Sequence, residues 1–316
     1  MLDVAFIIVT WNTKDLLLDC LESLFGQVSL ISYEVFVVDN GSHDGTVEAV
    51  EERFPDAKLI ANEKNLGFAA ANNQGLKEMS ARYAVLLNND TIVSKGVFER
   101  LVEFMDENPD TAVTGPQLLN RDGSKQNCFH NYPSLLTEIV GLGILKALFP
   151  EKYPGKRKDY DSPLETDAIL GACLMVRKTV VDQIGYMDDG YFFFLEETDW
   201  CYRIKKAGWK VYHIPDVKIV HLHGASTKKK VPVATWIEYY RSNYRFFRKN
   251  IGFLPLVLVT IIKFLKLNLN VILMFLLCIV TLFSSKKFKQ KLVTYGTLLL
   301  WHIRFCPKDM GLKSVK

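Results

Sequence analysis

Tyr83-Ala84-Val85-Leu86-Leu87-Asn88-Asn89-Asp90 is the stretch whose reading decides the fold. Ala84 to Leu87 are continuously apolar, the pattern of a strand covered on both faces in an α/β protein. The run then ends abruptly in two amides and a carboxylate. In an open α/β sheet, ligands sit beyond the carboxyl ends of the strands. A carboxylate there can hold a hard divalent cation through oxygen. The same three residues also make an ordinary turn rich in Asn and Asp. The rest of the chain has to choose between the two.

Upstream, Val4 to Val9 is an apolar run with β-branched residues, a predicted first strand with Thr10-Trp11-Asn12-Thr13 as its exit. Leu17, Leu21 and Leu24 recur at helical spacing within Asp15 to Phe25. Tyr33 to Val38 is the next strand, ending in Asp39-Asn40-Gly41-Ser42. A helix over Thr46 to Arg53, a short strand over Lys58 to Ala61 and a small-residue helix over Gly67 to Lys77 complete the approach to Tyr83. Repeated strand–helix alternation over about 90 residues predicts a mostly parallel, Rossmann-like, nucleotide-binding sheet. Neither GxGxxG nor GxxxxGK follows the first strand, which argues against a dinucleotide domain and a P-loop ATPase.

Downstream, a helix over Val97 to Glu107 closes at Asn108-Pro109. Ala112 to Pro116 and the Asn120-Arg121-Asp122-Gly123 turn predict strands joined by a hairpin. Residues 126–163 read as an insertion on the acceptor side. It holds an apolar helix-like run, Leu135 to Leu148, and a basic loop, Glu151 to Lys158. Ala168 to Val176 returns to strand, Glu197 to Ala207 to helix, and Lys210 to Ile214 and Val217 to Val220 to short strands before His221-Leu222-His223-Gly224.

The chain of 316 residues is 49% hydrophobic and 23% charged, which fits neither a disordered chain nor a polytopic membrane protein. Its six cysteines are scattered without zinc-like spacing, as expected of reduced thiols in a cytosolic setting. The start lacks the charge and the length of apolar run that a signal peptide needs. The net charge of +4 conceals a split. Residues 1–244 hold 26 basic against 34 acidic residues, whereas 245–316 hold 13 basic and one acidic, Asp309. Aromatic and basic residues interleave from Trp236 to Asn250. Ile251 to Ile262 is then apolar, Lys263 and Lys266 interrupt, and Leu267 to Phe283 carries no charge. An acidic body with a basic, apolar tail points to an anionic membrane surface and away from nucleic acid. In-plane or re-entrant helices, one short span and a docked core helix all remain open for 246–316.

Asp39, Asp90 and the cluster Glu196-Glu197-Thr198-Asp199 stand at predicted strand ends or a helix start, and His221 follows. Each alone has an ordinary explanation: Asp39 a turn cap, the cluster an acidic first turn, His221 or His223 a surface imidazole. Taken in order with Ile7 to Asn12, Val37 to Thr46, Asn65 to Gly75, Leu86 to Asp90, Gly171 to Arg177, Phe193 to Arg203 and His221 to Ser226, they resemble a family 2 glycosyltransferase of the GT-A fold, of the bacterial rhamnosyltransferase-like branch.

That resemblance implies roles. The GT-A domain would run over 1–245, with 246–316 as a membrane-associating tail. Thr10 and Asn12 would lie against the nucleotide, and Asp39 would accept from the base imide N–H. Asn65, Gly67, Phe68, Asn72 and Asn73 would line the donor pocket. Asn89 and Asp90 would meet the diphosphate, and Asp90 with His221, or with His223 as the alternative, would hold Mg²⁺ or Mn²⁺. Asn88 stands where the stricter motif has an Asp, so the diphosphate must supply much of the ion's binding. Glu197 is the expected base, Glu196 the next candidate, and Asp199 a support for the acceptor or a partner of Arg203. The implied reaction is inverting transfer from a dTDP- or UDP-sugar, dTDP-L-rhamnose first, to a lipid-linked saccharide at the cytoplasmic face of the inner membrane. A sugar-1-phosphate nucleotidyltransferase is the rival enzyme, although Lys14 is the only cation in the loop after the first strand. A decayed, membrane-anchored sugar-binding protein is the non-enzyme rival.

Overall fold

The apolar runs Val4–Val9, Tyr33–Val38 and Ala84–Leu87 are buried almost throughout, as strands of a sheet covered by helices on both faces are. A computed structural model describes residues 1–155, 158–222 and 232–312. Its first half alternates β1 (Val4–Thr10), α1 (Lys14–Gln27), β2 (Tyr33–Asp39), α2 (Thr46–Arg53), β3 (Lys58–Ala61), α3 (Phe68–Glu78), β4 (Tyr83–Asn88), β5 (Thr91–Ile92) and α4 (Val97–Glu107). There follow β6 (Thr111–Leu119), β7 (Phe129–His130), α5 (Leu135–Ile139), α6 (Leu142–Leu148), β8 (Leu164–Glu165), β9 (Ala168–Ile169), β10 (Cys173–Arg177), α7 (Lys178–Ile184), α8 (Glu196–Lys206) and β11 (Lys210–His221). The chain closes with α9 (Pro232–Phe246), a π-helical turn (Phe247–Ile251), α10 (Phe253–Val280) and α11 (Lys286–Ile303).

Among the described residues the main sheet has nine strands, ordered β3-β2-β1-β4-β10-β6-β11-β5, with β8 beside β11. β1 pairs in parallel with β2 and β4, and β2 with β3. β10 runs antiparallel between β4 and β6, and β6 is parallel to β11. The ends of β1, β2, β4, β6 and β11 and the start of β10 therefore share one sheet edge. Register aligns Thr10 with Asp39, and Val9 with Asn88. This is the GT-A architecture: a mostly parallel mixed sheet flanked by helices.

Several predicted elements differ in detail, each for a local reason. The helix expected over Leu135 to Leu148 breaks in two at Gly141, whose φ of +85° does not continue a right-handed helix. The strand expected over Ala168 to Val176 is interrupted by Leu170 to Ala172. The two short strands after Gly208 are one, β11, irregular between Ile214 and Lys218, where Pro215 has no N–H to give. The hairpin after β6 turns at Asn120 to Gly123, but its return is a single bridge, Leu119 to Lys125.

Of the described residues, one compact unit takes Met1–Tyr132, Gly155–Tyr191 and 196–222, and contains the sheet. A second takes Pro133–Pro154, Phe192–Leu195 and 232–312. The middle of the stretch read as an insertion thus clusters with the tail. Within this second unit the tail's two apolar runs form the single helix α10, and Lys263 does not break it. Lys263 is buried and ion-pairs with Glu138 of α5 at 3.0 Å, with its ammonium over the Tyr240 ring. Ile237, Leu267, Leu298 and Trp301 form the small core that joins α9, α10 and α11. The remaining sides of α10 expose Phe253, Leu254, Leu265, Leu269, Ile272, Leu276 and Val280. By length and composition it is the one described helix that could cross a membrane.

Candidate active site

Three loops at the shared edge are held by their own amides. Asn12, in the left-handed region at φ +52°, accepts from the His43 backbone N–H at 2.8 Å, while its own N–H donates to Ser42 Oγ at 2.8 Å. Asn89 donates to the hydroxyls of Thr10 (2.8 Å) and Thr13 (2.6 Å), tying the end of β4 to the exit of β1. Asn40 donates to Asn65 Oδ1 at 3.1 Å and accepts from the Leu66 N–H at 3.0 Å. Asn65 also accepts from the Gly67 N–H at 2.9 Å, so the strand exit latches the loop that opens α3. Gly67 itself has φ +91°, which a side chain would strain.

Asp39 caps its own turn with one oxygen only. Oδ2 accepts from the N–H groups of Gly41 and Ser42, at 3.1 and 2.9 Å. Oδ1 is buried and meets no donor among the described residues. A buried carboxylate oxygen in that state is costly unless a ligand donor completes it. Asn72 and Asn73 divide. Asn72 donates to its own helix at Phe68 O, 2.9 Å. Asn73 exchanges two hydrogen bonds with the Met187 backbone, at 2.8 and 3.1 Å, and so fastens α3 to the loop after α7. The side chain of Asn73 is occupied by the fold.

At the end of β4, Asp90 Oδ1 lies 3.2 Å from Nε2 of His221, at the end of β11, and both side chains are buried. Asn88 Nδ2 is 3.3 Å from the same Nε2. Gln126, absent from the sequence-based site, is buried behind the imidazole: its Oε1 is 2.8 Å from His221 Nδ1, and its Nε2 donates to the His221 carbonyl at 2.6 Å. No sequence signal marked it, because it lies on the far limb of a hairpin whose pairing is not periodic. Thr13 and Asn40 lie in strand exits that the sequence marks, but no role there singles them out. His223 lies outside the described residues.

No cluster of three His, Cys, Asp or Glu occurs among the described residues. Asp90 and His221 do offer one oxygen and one nitrogen at a spacing close to the roughly 3 Å between adjacent ligands of an octahedral ion with bonds of about 2.1 Å. The two residues fit a metal bound chiefly through its phosphate ligand, and Mn²⁺ tolerates the imidazole better than Mg²⁺ does.

The acidic cluster occupies the first turn of α8. Glu196, Glu197 and Asp199 are all buried. Asp199 is held by Arg203 at 3.0 Å and by the Tyr191 hydroxyl at 3.3 Å. Those two partners fix it in the core, where it braces α8. Glu197 differs: burial pushes its carboxyl up to about 7, against the backbone N–H groups that favour the anion. It is also next to the sheet edge. A Cβ on Gly171, just before β10, would stand 4.0 Å from Glu197 Cγ and 3.2 Å from the Phe68 ring. The missing side chain at 171 leaves the space that Phe68 and Glu197 border.

A sheet of this order, with loops and an acidic helix start at one edge, has the GT-A architecture. The chain belongs to glycosyl transferase family 2, whose model matches residues 5–185. An N-acetylglucosaminyl-diphospho-decaprenol L-rhamnosyltransferase of Mycobacterium tuberculosis is 26% identical over 245 residues, 72% of this chain and 79% of its own. A dTDP-rhamnosyl transferase of Shigella flexneri is 26% identical over 264 residues, covering 81% and 83%. Among solved structures, that of GalNAc-T7 with UDP, GalNAc and Mn²⁺ superposes with a TM-score of 0.54 at 18% identity, over 77% of this chain and 47% of that one, which is a likeness of fold.

Proposed function

We propose that the protein transfers a hexose, L-rhamnose from dTDP-L-rhamnose, with inversion to a hydroxyl of a lipid-linked saccharide. The observation that carries this reading is Glu197, a buried carboxyl whose pKa burial raises to about 7 and which borders, with Phe68, the space left at Gly171. A base with that affinity can take a proton from an attacking hydroxyl near neutral pH. Asp39 Oδ1 would accept the imide N–H of thymine or uracil. The amide-latched loops would hold the nucleotide in one pose, which aligns the anomeric carbon. Asp90 and His221 would hold Mg²⁺ or Mn²⁺, which when bound supplies positive charge to the departing diphosphate. Glu197 would face the acceptor, so displacement is single and no protein nucleophile is needed. The rhamnosyltransferase names of the two relatives support the donor. The exposed apolar surface of α10 and the basic tail support an acceptor presented at the cytoplasmic face of a membrane.

Incubation of the full chain with Mn²⁺, a lipid-linked saccharide and a panel of nucleotide sugars tests the proposal. Transfer from dTDP-L-rhamnose is expected. Transfer only from a UDP-sugar would correct the donor, and no transfer or nucleotide release from any member would overturn the activity.

A further inference from the structure

We infer that Gln126 is a positioning residue that fixes His221 as the tautomer able to ligate a cation through Nε2. The inference rests on the metal reading above and extends it to a residue the family resemblance does not touch. The His221 carbonyl can only accept. One end of the Gln126 side chain lies 2.6 Å from the backbone oxygen of His221 and 2.7 Å from Asn120 Oδ1. That end must therefore be the amide NH₂. The other end must be oxygen, and it lies 2.8 Å from His221 Nδ1. A carboxamide oxygen cannot donate, so Nδ1 carries the hydrogen. In the neutral ring Nε2 is then left with its lone pair.

That lone pair points to the one place where it is useful. Nε2 is 3.2 Å from Asp90 Oδ1 and 3.3 Å from Asn88 Nδ2, a donor. Two electron-rich atoms held that close are stable when positive charge is shared between them. Gln126 thus does for His221 what a carboxylate or carbonyl behind a ligating histidine does elsewhere: it selects the tautomer and locks the ring. It cannot easily turn around, because reversing the amide would set Oε1 against the His221 carbonyl. The Gln117 Nε2 donates to the backbone oxygen of Gln126 at 3.1 Å, which holds the residue from behind.

The first reading needs no metal. Nitrogen-15 NMR of the histidine rings in the metal-free full chain, with the His221 signal assigned by its loss in His221→Asn, should show the hydrogen on Nδ1. A hydrogen on Nε2 in neutral His221 would overturn the inference. The second reading is Mn²⁺ uptake in the presence of dTDP, followed by electron paramagnetic resonance. Gln126→Met keeps the length but removes the amide, and should weaken uptake by about 10-fold or more. Unchanged uptake in Gln126→Met, with an unaltered thermal melt, would overturn the role of Gln126 alone. Absence of uptake by the wild type would overturn the metal site itself, and the function assigned to Gln126 with it.

Discussion

Glu197 shows how one residue can be good for chemistry and bad for stability. Its folded-state pKa is raised to about 7, so between about 4.5 and 7 the folded protein holds a proton that the unfolded chain has released. Stability therefore falls as pH rises through that window, and the cost is fully present above it. Glu197→Gln removes the buried charge. It should melt higher than wild type at pH 8, by an increment on the order of 2 kcal/mol, and about equally at pH 4. The same variant should lose transfer by roughly 10²- to 10⁴-fold, and wild-type rates should fall as pH drops below about 7. Paired kinetics and thermal melts check both arms. If Glu196→Gln loses transfer and Glu197→Gln keeps it, the base is Glu196. Asp39 gives a second residue-scale expectation. Asp39→Asn places an amide NH₂ against either the turn's two N–H groups or the base imide, so calorimetry should find dTDP binding weakened by about 1–3 kcal/mol.

At the scale of elements, the site depends on how closely α3 and the start of β10 can approach. Gly75 faces β1 from α3, and a Cβ there would stand 2.8 Å from Ile7 Cγ2, a branched side chain buried in the sheet. Gly75→Ala should lift α3 and cost about 1–3 kcal/mol in denaturant unfolding. Gly171→Ala is a different experiment. Its Cβ meets the edge of the Phe68 ring at 3.2 Å and the space before Glu197. The ring can give way, so little stability is lost, while kcat/KM should fall because donor and base no longer share the same opening. A Gly171→Ala protein with unchanged kinetics would show that this opening does not admit substrate.

For the whole molecule the question is what the apolar tail is for. Deleting everything after Asn250 would not isolate it, because Ile237 of α9 packs on Leu267, Leu298 and Trp301, and Glu138 pairs with Lys263. Removing α10 and α11 takes away the ionic partner of that acid and uncovers the core around Ile237. Point changes on the exposed side of α10 are the cleaner intervention. Leu269→Glu together with Leu273→Glu, both exposed, should abolish sedimentation with anionic vesicles and leave dTDP affinity unchanged. Sedimentation of the wild type should weaken with salt, since 13 basic residues and one acidic residue occupy 245–316. Vesicle binding that survives the double substitution would place the anchor in another part of the chain.

The Tyr83 to Asp90 stretch and its neighbours in sequence determined the sheet, because hydrophobic periodicity and strand–helix alternation are local properties that a chain cannot hide. The order of acidic residues along the chain also marked Asp39, Asp90 and the start of α8. What tertiary structure alone decided is which atoms remain available. Asn73 and Asp199 are taken up by Met187 and by Arg203 with Tyr191, whereas Asp39 Oδ1 meets no donor among the described residues. Gln126 meets His221 across 95 residues of chain, and Lys263 meets Glu138 across 125. Hydrogen bonds and ion pairs reach only a few ångströms and depend on direction. Their partners are therefore set by packing, which the order of residues does not display.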